Sequence, residues 1–346
     1  SSFTGSGTSY TVTFTPTATT QSGSGSVSVV ADKFTDAAGN NNTASSTTTI
    51  AYDTQVPSVS SITASRSTLK SWDTSVFTIT LSEASTNFVV GDVTFSGGTL
   101  SSFSGSGTSY TVVFTPTANT QSGSGSVSVA SGVFTDAAGN SNTASSATTI
   151  TYDTQAPTVS ISASSTALKS GETSTLTITL SESSTDFAVG DITFSGGTLS
   201  SFSGSGTSYS VVFTPTADRS SGTGYALVLS GFLTDAAGNN NSASTNTNFT
   251  YDTRVPTVSI SASATTLKSG ETSTLTITLS EASSNFATGA VSVTGGTLSS
   301  VTATSSTVYS VVFTPTANTQ SGSGSVSVAS GAFTDAAGNS NTASSA

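Results

Sequence analysis

Thr173-Ser-Thr-Leu-Thr-Ile-Thr-Leu-Ser181 is the stretch that decides the fold. Leu176, Ile178 and Leu180 alternate strictly with Thr175, Thr177 and Thr179. Successive side chains of an extended chain point to opposite faces, so this period of two places the aliphatics inward and the threonines outward. The stretch reads as a half-buried strand. Similar runs flank it. With the strands lettered in chain order, A lies near 158–162, with Val159 and Ile161 inward, and B covers 173–181. C is expected near 191–194, D near 198–202 and E over 208–214, with Gly204-Ser-Gly206 as the turn between D and E. F is expected near 225–229 and G over 242–251. Seven short strands separated by turn signals, with no amphipathic helical period, specify an all-β immunoglobulin-like sandwich.

This unit repeats along the chain. Phe-Thr-Asp-Ala-Ala-Gly-Asn occurs at 34–40, 134–140 and 333–339, and a leucine variant at 233–239. The aspartates, Asp36, Asp136, Asp235 and Asp335, recur about every 100 residues, a sandwich length. Tyr-Asp-Thr recurs at Tyr52, Tyr152 and Tyr251, each followed by a proline: Pro57, Pro157 and Pro256. Proline cannot continue a ladder and stiffens a short crossing, so the boundaries are placed there. They give half a repeat over 1–52, whole repeats over 53–152 and 153–251, and a repeat over 252–346 that lacks the end of its last strand. The expected architecture is a set of tandem sandwiches of about seven strands arranged as an extended rod. The chain starts in mid-repeat and reads as an excerpt of a longer protein.

Composition narrows the function. Only 7% of the residues are charged, against roughly 25% in an ordinary soluble domain. Cys, His and Met are absent, which removes disulfides, thiolate nucleophiles, imidazole bases and Cys/His metal sites. A net charge of −11 argues against nucleic acid, whose binding needs basic patches, and favours divalent cations. No apolar run approaches the roughly 18 residues of a membrane-spanning helix, and no segment resembles a signal peptide.

The few acidic residues recur at fixed points. In the third repeat Asp153 precedes strand A, Glu182 and Asp191 bracket the B–C loop, and Asp235 lies in the F–G loop. In this topology those loops and the entry to strand A share one end of the sandwich. Four carboxylates gathered there repel one another unless a cation lies among them, and an all-oxygen donor set without His or Cys selects a hard ion, Ca2+. The second repeat carries Asp53, Glu83, Asp92 and Asp136 at these positions. The fourth carries Asp252, Glu281 and Asp335, with Ala290 in place of the strand C aspartate, so a weaker site is expected there. Because Asp153 directly follows the preceding strand G, an ion on it would fix the angle between neighbouring repeats. The competing reading is turn chemistry, since Asp and Asn bond their own backbone. That reading fits Asp-Ala-Ala-Gly-Asn better than it fits Glu83, Glu182 and Glu281. Glu172 and Glu271, with Lys70, Lys169 and Lys268 beside them, fall at the opposite end and read as solvated surface charges.

Several landmarks resemble the bacterial Ig-like repeats of giant surface adhesins and biofilm-associated, RTX-type proteins. They are Tyr152-Asp-Thr-Gln-Ala-Pro157, Leu168-Lys-Ser-Gly-Glu-Thr173, Leu180-Ser-Glu182, Phe194-Ser-Gly-Gly-Thr-Leu199, Phe213-Thr-Pro-Thr216 and the Asp-Ala-Ala-Gly-Asn turn. The resemblance covers essentially the whole chain. It implies an extracellular, cell-surface location and a stalk that supports adhesion and biofilm formation by projecting a terminal domain toward a host or abiotic surface. It also implies calcium-dependent rigidity between neighbouring repeats. Trp72-Asp73, where the other repeats have Gly-Glu, Ala290 for Asp and Leu233 for Phe depart from the pattern.

Two rival classes are weighed against this stalk. Outward threonines such as Thr177 and Thr179 suggest ice or carbohydrate binding, yet threonine suits any solvated strand face. Trp72 is the one candidate for stacking on a sugar and is expected to pack against a neighbouring repeat. Half a sandwich at 1–52 leaves sheet edges open, which would suit self-association into a filament or surface layer. Carboxylates repeated in every unit suit a structural role better than a single active site, so no enzymatic activity is expected.

Overall fold

The computed structural model describes residues 2–345. Its internal contacts divide the chain into two compact units, Ser1–Ala156 and Pro157–Ala346.

The second unit contains the strands of the third and fourth repeats. In the third, strand A (Val159–Ala163) and strand B (Ser174–Ser184) pair antiparallel, with Ile161 opposite Ile178. B also pairs with the E half of Gly197–Pro215, with Leu176 opposite Val211. In that long element the hydroxyls of Ser203 and Ser210, on either side of Gly204-Ser-Gly206, lie 3.0 Å apart. Gly204 has φ +123°, and a side chain there would run into the Ser208 carbonyl and Tyr209 Cα. The opposing sheet runs in the order A′ (Ala167–Lys169), G (Thr247–Asp252), F (Gly222–Val228), C (Ile192–Ser195). A′ pairs parallel with G, and the other ladders are antiparallel. A′ was not anticipated: three residues are too few to show a period, although its Leu168 is buried.

The inward face of strand B forms the centre of the core. Leu176 and Ile178 are wholly buried against Val211, Phe213, Ala226 and Val228, and Phe213 stacks on Phe249 at 4.3 Å. Thr175, Thr177 and Thr179 face solvent. Gly222 of strand F is required by the Tyr251 ring, which lies where a β-carbon would project.

The fourth repeat repeats this core around Leu275, Ile277 and Val311. Among the described residues it has no counterpart of A′ or G. A′ needs G as its neighbour, so the stretch around Leu267 joins no sheet.

The first unit holds the second repeat and the half repeat before it. The second repeat has the same two sheets, from Val59–Ala64 to Thr148–Tyr152. It takes up its extra residue in a bulge between Val59 and Ser61. Residues before Asp53 form one hairpin, Phe3–Ser6 with Ser9–Val12, and one pair, Gly23–Val27 with Thr48–Tyr52. Val12, Phe14, Phe34 and Ile50 are exposed there, while their counterparts Val112, Phe114, Phe134 and Ile150 are buried. Strands A, B and C, which cover those positions in the second repeat, have no counterpart among the described residues before Asp53.

Two expectations are corrected. Trp72 does not pack against a neighbour: it is 98% exposed. It stands at φ +69°, where Gly171 and Gly270 have +80° and +83°, and this left-handed turn directs the indole outward. Lys169 is not only a solvated charge, because its Nζ donates to the Gly338 carbonyl of the next repeat at 3.4 Å. Glu172 and Glu271 are exposed, and each accepts the backbone N–H of Lys169 or Lys268 to close its own turn, at 3.1 and 2.9 Å.

Candidate functional site

Strand B places the central acid. In the second repeat its inward series runs Phe77, Ile79, Leu81, Glu83, Ser85, so Glu83 holds the next core position after Leu81 and is only 6% exposed. Strand B was expected to end before this glutamate; the alternation instead carries on through it. Pairing with strand E slips between Thr80 and Ser85, which frees the strand locally where Glu83 sits.

A brace that the sequence did not reveal fixes the end of strand B. Ser85 Oγ lies 2.8 Å from both Asn87 Oδ1 and the Thr135 carbonyl, and the Thr135 N–H donates to Asn87 Oδ1 at 3.0 Å. Tyr110 donates its hydroxyl to the Ser85 carbonyl at 2.9 Å. The third repeat builds the same brace from Ser184, Asp186 and Thr234. Its signal in the sequence is the polar residue before Phe88, Phe187 and Phe286: Asn87, Asp186 and Asn285. Through this brace the strand that carries Glu83 is tied to the segment that carries Asp136.

Asp136 closes the Asp-Ala-Ala-Gly-Asn turn. Its Oδ1 accepts the Ala138 and Asn140 N–H groups, each at 2.9 Å, and its Oδ2 accepts the Asn140 side chain at 2.8 Å. The turn reading is therefore correct for Asp136, which is also 6% exposed and faces Glu83. Burial works to raise its pKa, but the hydrogen bonds from the Asn140 side chain and the turn N–H groups outweigh it and hold the carboxyl below the ordinary range.

Asp53 arrives on the linker. Thr54 is fastened to the preceding repeat: its hydroxyl donates to the Thr17 carbonyl at 2.7 Å and accepts the Thr20 N–H at 3.1 Å. Asn140 reaches back to the Asp53 carbonyl at 3.4 Å. The Tyr-Asp-Thr motif thus sends its threonine back to one sandwich and its aspartate forward to the next.

Asp53, Glu83 and Asp136 each contribute an oxygen to a group lying within 4.8 Å of one another. Burial raises the pKa of Glu83, and the charges of Asp53 and Asp136 raise it further, while the Gln21 side chain of the preceding repeat acts to lower it. Glu83 Oε1 is buried with no hydrogen-bond partner. The fourth repeat assembles Asp252, Glu281 and Asp335 in the same way, with Asn339 donating to Asp335 Oδ2 at 2.9 Å and to the Asp252 carbonyl at 3.1 Å. In the third repeat Glu182 and Asp235 are buried with oxygens within 4.8 Å of each other. Asp153 belongs to the first unit, where its Oδ1 accepts the Gln155 N–H at 3.1 Å.

Asp92 and Asp191 do not join these groups. Each caps a single 3-10 turn, accepting the N–H of Val89 at 2.8 Å or Ala188 at 2.7 Å. A short polar side chain three residues after a free N–H closes back on it, and this local bond holds the carboxylate to its own loop. Ala290 therefore removes a turn cap, and the same turn still forms at Thr288–Ala290.

The donor set fits a hard cation. It consists of carboxylate oxygens, one of them buried and unbonded, with an amide and a backbone carbonyl beside them. Oxygens that share one Ca2+ at about 2.4 Å lie at most about 4.8 Å apart, as these do.

Two sheets ordered A-B-E and A′-G-F-C, with acidic linkers between successive copies, define a tandem immunoglobulin-type sandwich protein. The chain belongs to the bacterial Ig-like domain family, whose profile matches residues 1–52, 53–152, 153–251 and 252–346. Among solved structures, the I9–I11 tandem of titin matches at 8% identity over 82% of this chain and 97% of its own, with a TM-score of 0.27. The ectodomain of mouse nectin-like molecule 4 matches at 12% identity over 80% and 94%, with a TM-score of 0.29. The Yersinia pseudotuberculosis adhesin InvE matches at 18% identity over 62% and 66%, with a TM-score of 0.23. No curated protein sequence matches the chain. Among the described residues, no helix is long and apolar enough to cross a membrane.

Proposed function

We propose that this chain is an extender segment of a large extracellular bacterial adhesin, and that its joints are set by calcium. It acts as a non-enzymatic stalk that supports cell adhesion and biofilm formation, and its working partners are its own neighbouring repeats. The observation that carries the reading is Glu83: a buried carboxylate oxygen with no hydrogen-bond partner, directed at two further carboxylates. Three negative groups so close are costly unless a cation offsets them. Asp53, Glu83 and Asp136 would hold the ion, and its charge would neutralise theirs. Since Asp53 sits on a linker fastened to the repeat before it, holding all three fixes the linker against the following sandwich. The fourth repeat offers Asp252, Glu281 and Asp335 for the same purpose, and the third carries Asp153, Glu182 and Asp235 at the same sequence positions.

The test is small-angle scattering of the whole chain in millimolar calcium and in chelator. A long, well-defined maximum dimension with calcium that shortens or blurs in chelator is the expected result. An identical profile in both, with no calcium bound at equilibrium, would reduce the acidic groups to turn chemistry and leave a passive spacer.

A further inference from the structure

The joint that leads into the fourth repeat differs from the joint that leads into the second at several positions, Thr20 among them, which is replaced by Arg219. Gln55 of the earlier linker is replaced by Arg254, Gln21 by Ser220, and Thr19 by Asp218. Gln21 is the side chain that acts to lower the Glu83 pKa across the earlier joint; the shorter Ser220 stands at its position before the fourth repeat. Arg254 instead puts its Nε 3.8 Å from Glu281 Oε1 in the fourth repeat and 3.7 Å from Asp218 Oδ1 in the third. The guanidinium thus bridges the two sandwiches. Its backbone is fixed as well: the Arg254 N–H donates to Asp252 Oδ1 and to the Arg219 carbonyl, both at 3.1 Å. Thr253 beside it accepts the Arg219 N–H and donates to the Thr216 carbonyl. Two direct bonds accompany the bridge: the Ser170 N–H donates to Asn339 Oδ1 at 2.7 Å, and Lys169 Nζ donates to the Gly338 carbonyl.

We propose that Arg254 is the resident cation of this joint, holding the third and fourth repeats together without a divalent ion and weakening calcium binding at Asp252, Glu281 and Asp335. The physical reason is competition for one charge deficit. A guanidinium fixed beside Glu281 already offsets part of the repulsion that a metal would relieve, and an incoming dication is repelled by it. Arginine stays protonated at any relevant pH, so it cannot yield the site by losing its charge. The stalk would then contain joints of two kinds: one, at Asp53, whose order follows the calcium concentration, and one, at Arg254, that stays closed when calcium is scarce. The statement about calcium affinity rests on the function proposed above; the statement about the ion bridge does not.

The experiment uses the whole chain and calorimetric titration with calcium chloride, comparing wild type with E83Q, E281Q and R254Q. E83Q is expected to remove a tight site and E281Q to leave the tight binding unchanged. R254Q is expected to tighten binding at the Glu281 site at least tenfold, about 1.4 kcal/mol, and the double variant R254Q/E281Q to abolish that gain. Loss of an equally tight site in E281Q, or unchanged binding in R254Q, overturns the inference. If no variant binds calcium, the calcium reading itself fails, and the bridge is judged in chelator. There a spin-label distance across the joint, on cysteines introduced into a chain that has none, should broaden in R254Q. A distance as narrow as that of wild type would overturn the bridge.

Discussion

Replacing Glu83 with glutamine should change the sign of its effect with calcium. In chelator, Glu83 is a buried acid facing Asp53 and Asp136 within 4.8 Å. With an effective dielectric constant of about 20, each such pair repels by about 3 kcal/mol. Solvent around the half-exposed Asp53 reduces that figure. Proton uptake sets a ceiling: from an ordinary glutamate value of about 4.3, keeping the acid neutral at about pH 7.5 costs roughly 4 kcal/mol. Glutamine removes the charge and can donate to either aspartate, so E83Q should stabilise the second repeat by about 1–3 kcal/mol in chelator. For a domain of this size that is about 5 °C or more in melting temperature. In saturating calcium the order should reverse, because wild type gains about 2.7 kcal/mol at a hundredfold excess over Kd and the variant loses a ligand. Scanning calorimetry of the whole chain, with hydrogen exchange in strand B to assign the transition, reads both conditions. An E83Q chain that melts lower in chelator, or that calcium stabilises as much as wild type, would refute the electrostatic reasoning.

The pH dependence follows from the same groups. The folded pKa of Glu83 is raised, so its contribution is greatest below the unfolded value and is lost as pH rises through the folded one; in chelator, stability should fall over that window, and calcium should remove the fall. Asp136, whose carboxyl is held low, acts in the opposite direction: its contribution is present above its unfolded value and disappears on acidification through the folded one, which a denaturant midpoint measured below pH 4 would show. Asp92→Ala should cost about 1 kcal/mol through loss of its turn cap while leaving calcium affinity unchanged, and an affinity loss would return Asp92 to the ligand set. Trp72→Gly should raise stability by up to about 1 kcal/mol by relieving a left-handed backbone, as read by thermal melting.

The alternation of Leu176, Ile178 and Leu180 was sufficient to define strand B, its buried face and the sandwich around it, because a period of two is a local property of extended chain. The same alternation contained Glu83, Glu182 and Ser184, yet the glutamates read as loop residues because charge ordinarily marks the end of a strand. Their acids proved to be inward positions, each followed by one more, Ser85 or Ser184. Asp136 and Glu83 were legible as partners from loop geometry alone. Asp92 was not separable from them, since a capping aspartate and a ligating one look alike in sequence; the structure shows it accepting the Val89 N–H of its own turn.

The recurring Tyr-Asp-Thr and Asp-Ala-Ala-Gly-Asn motifs established by themselves that the chain is a series of like sandwiches with acid at one end of each. Those are properties of composition and spacing, which need no knowledge of distant contacts. Which side chains meet at a joint was decided only by tertiary structure. Arg254 and Glu281, Ser170 and Asn339, and Gln21 and Glu83 are brought together by the way one sandwich seats on the next, and short-range pattern carries no record of pairs so far apart in the chain.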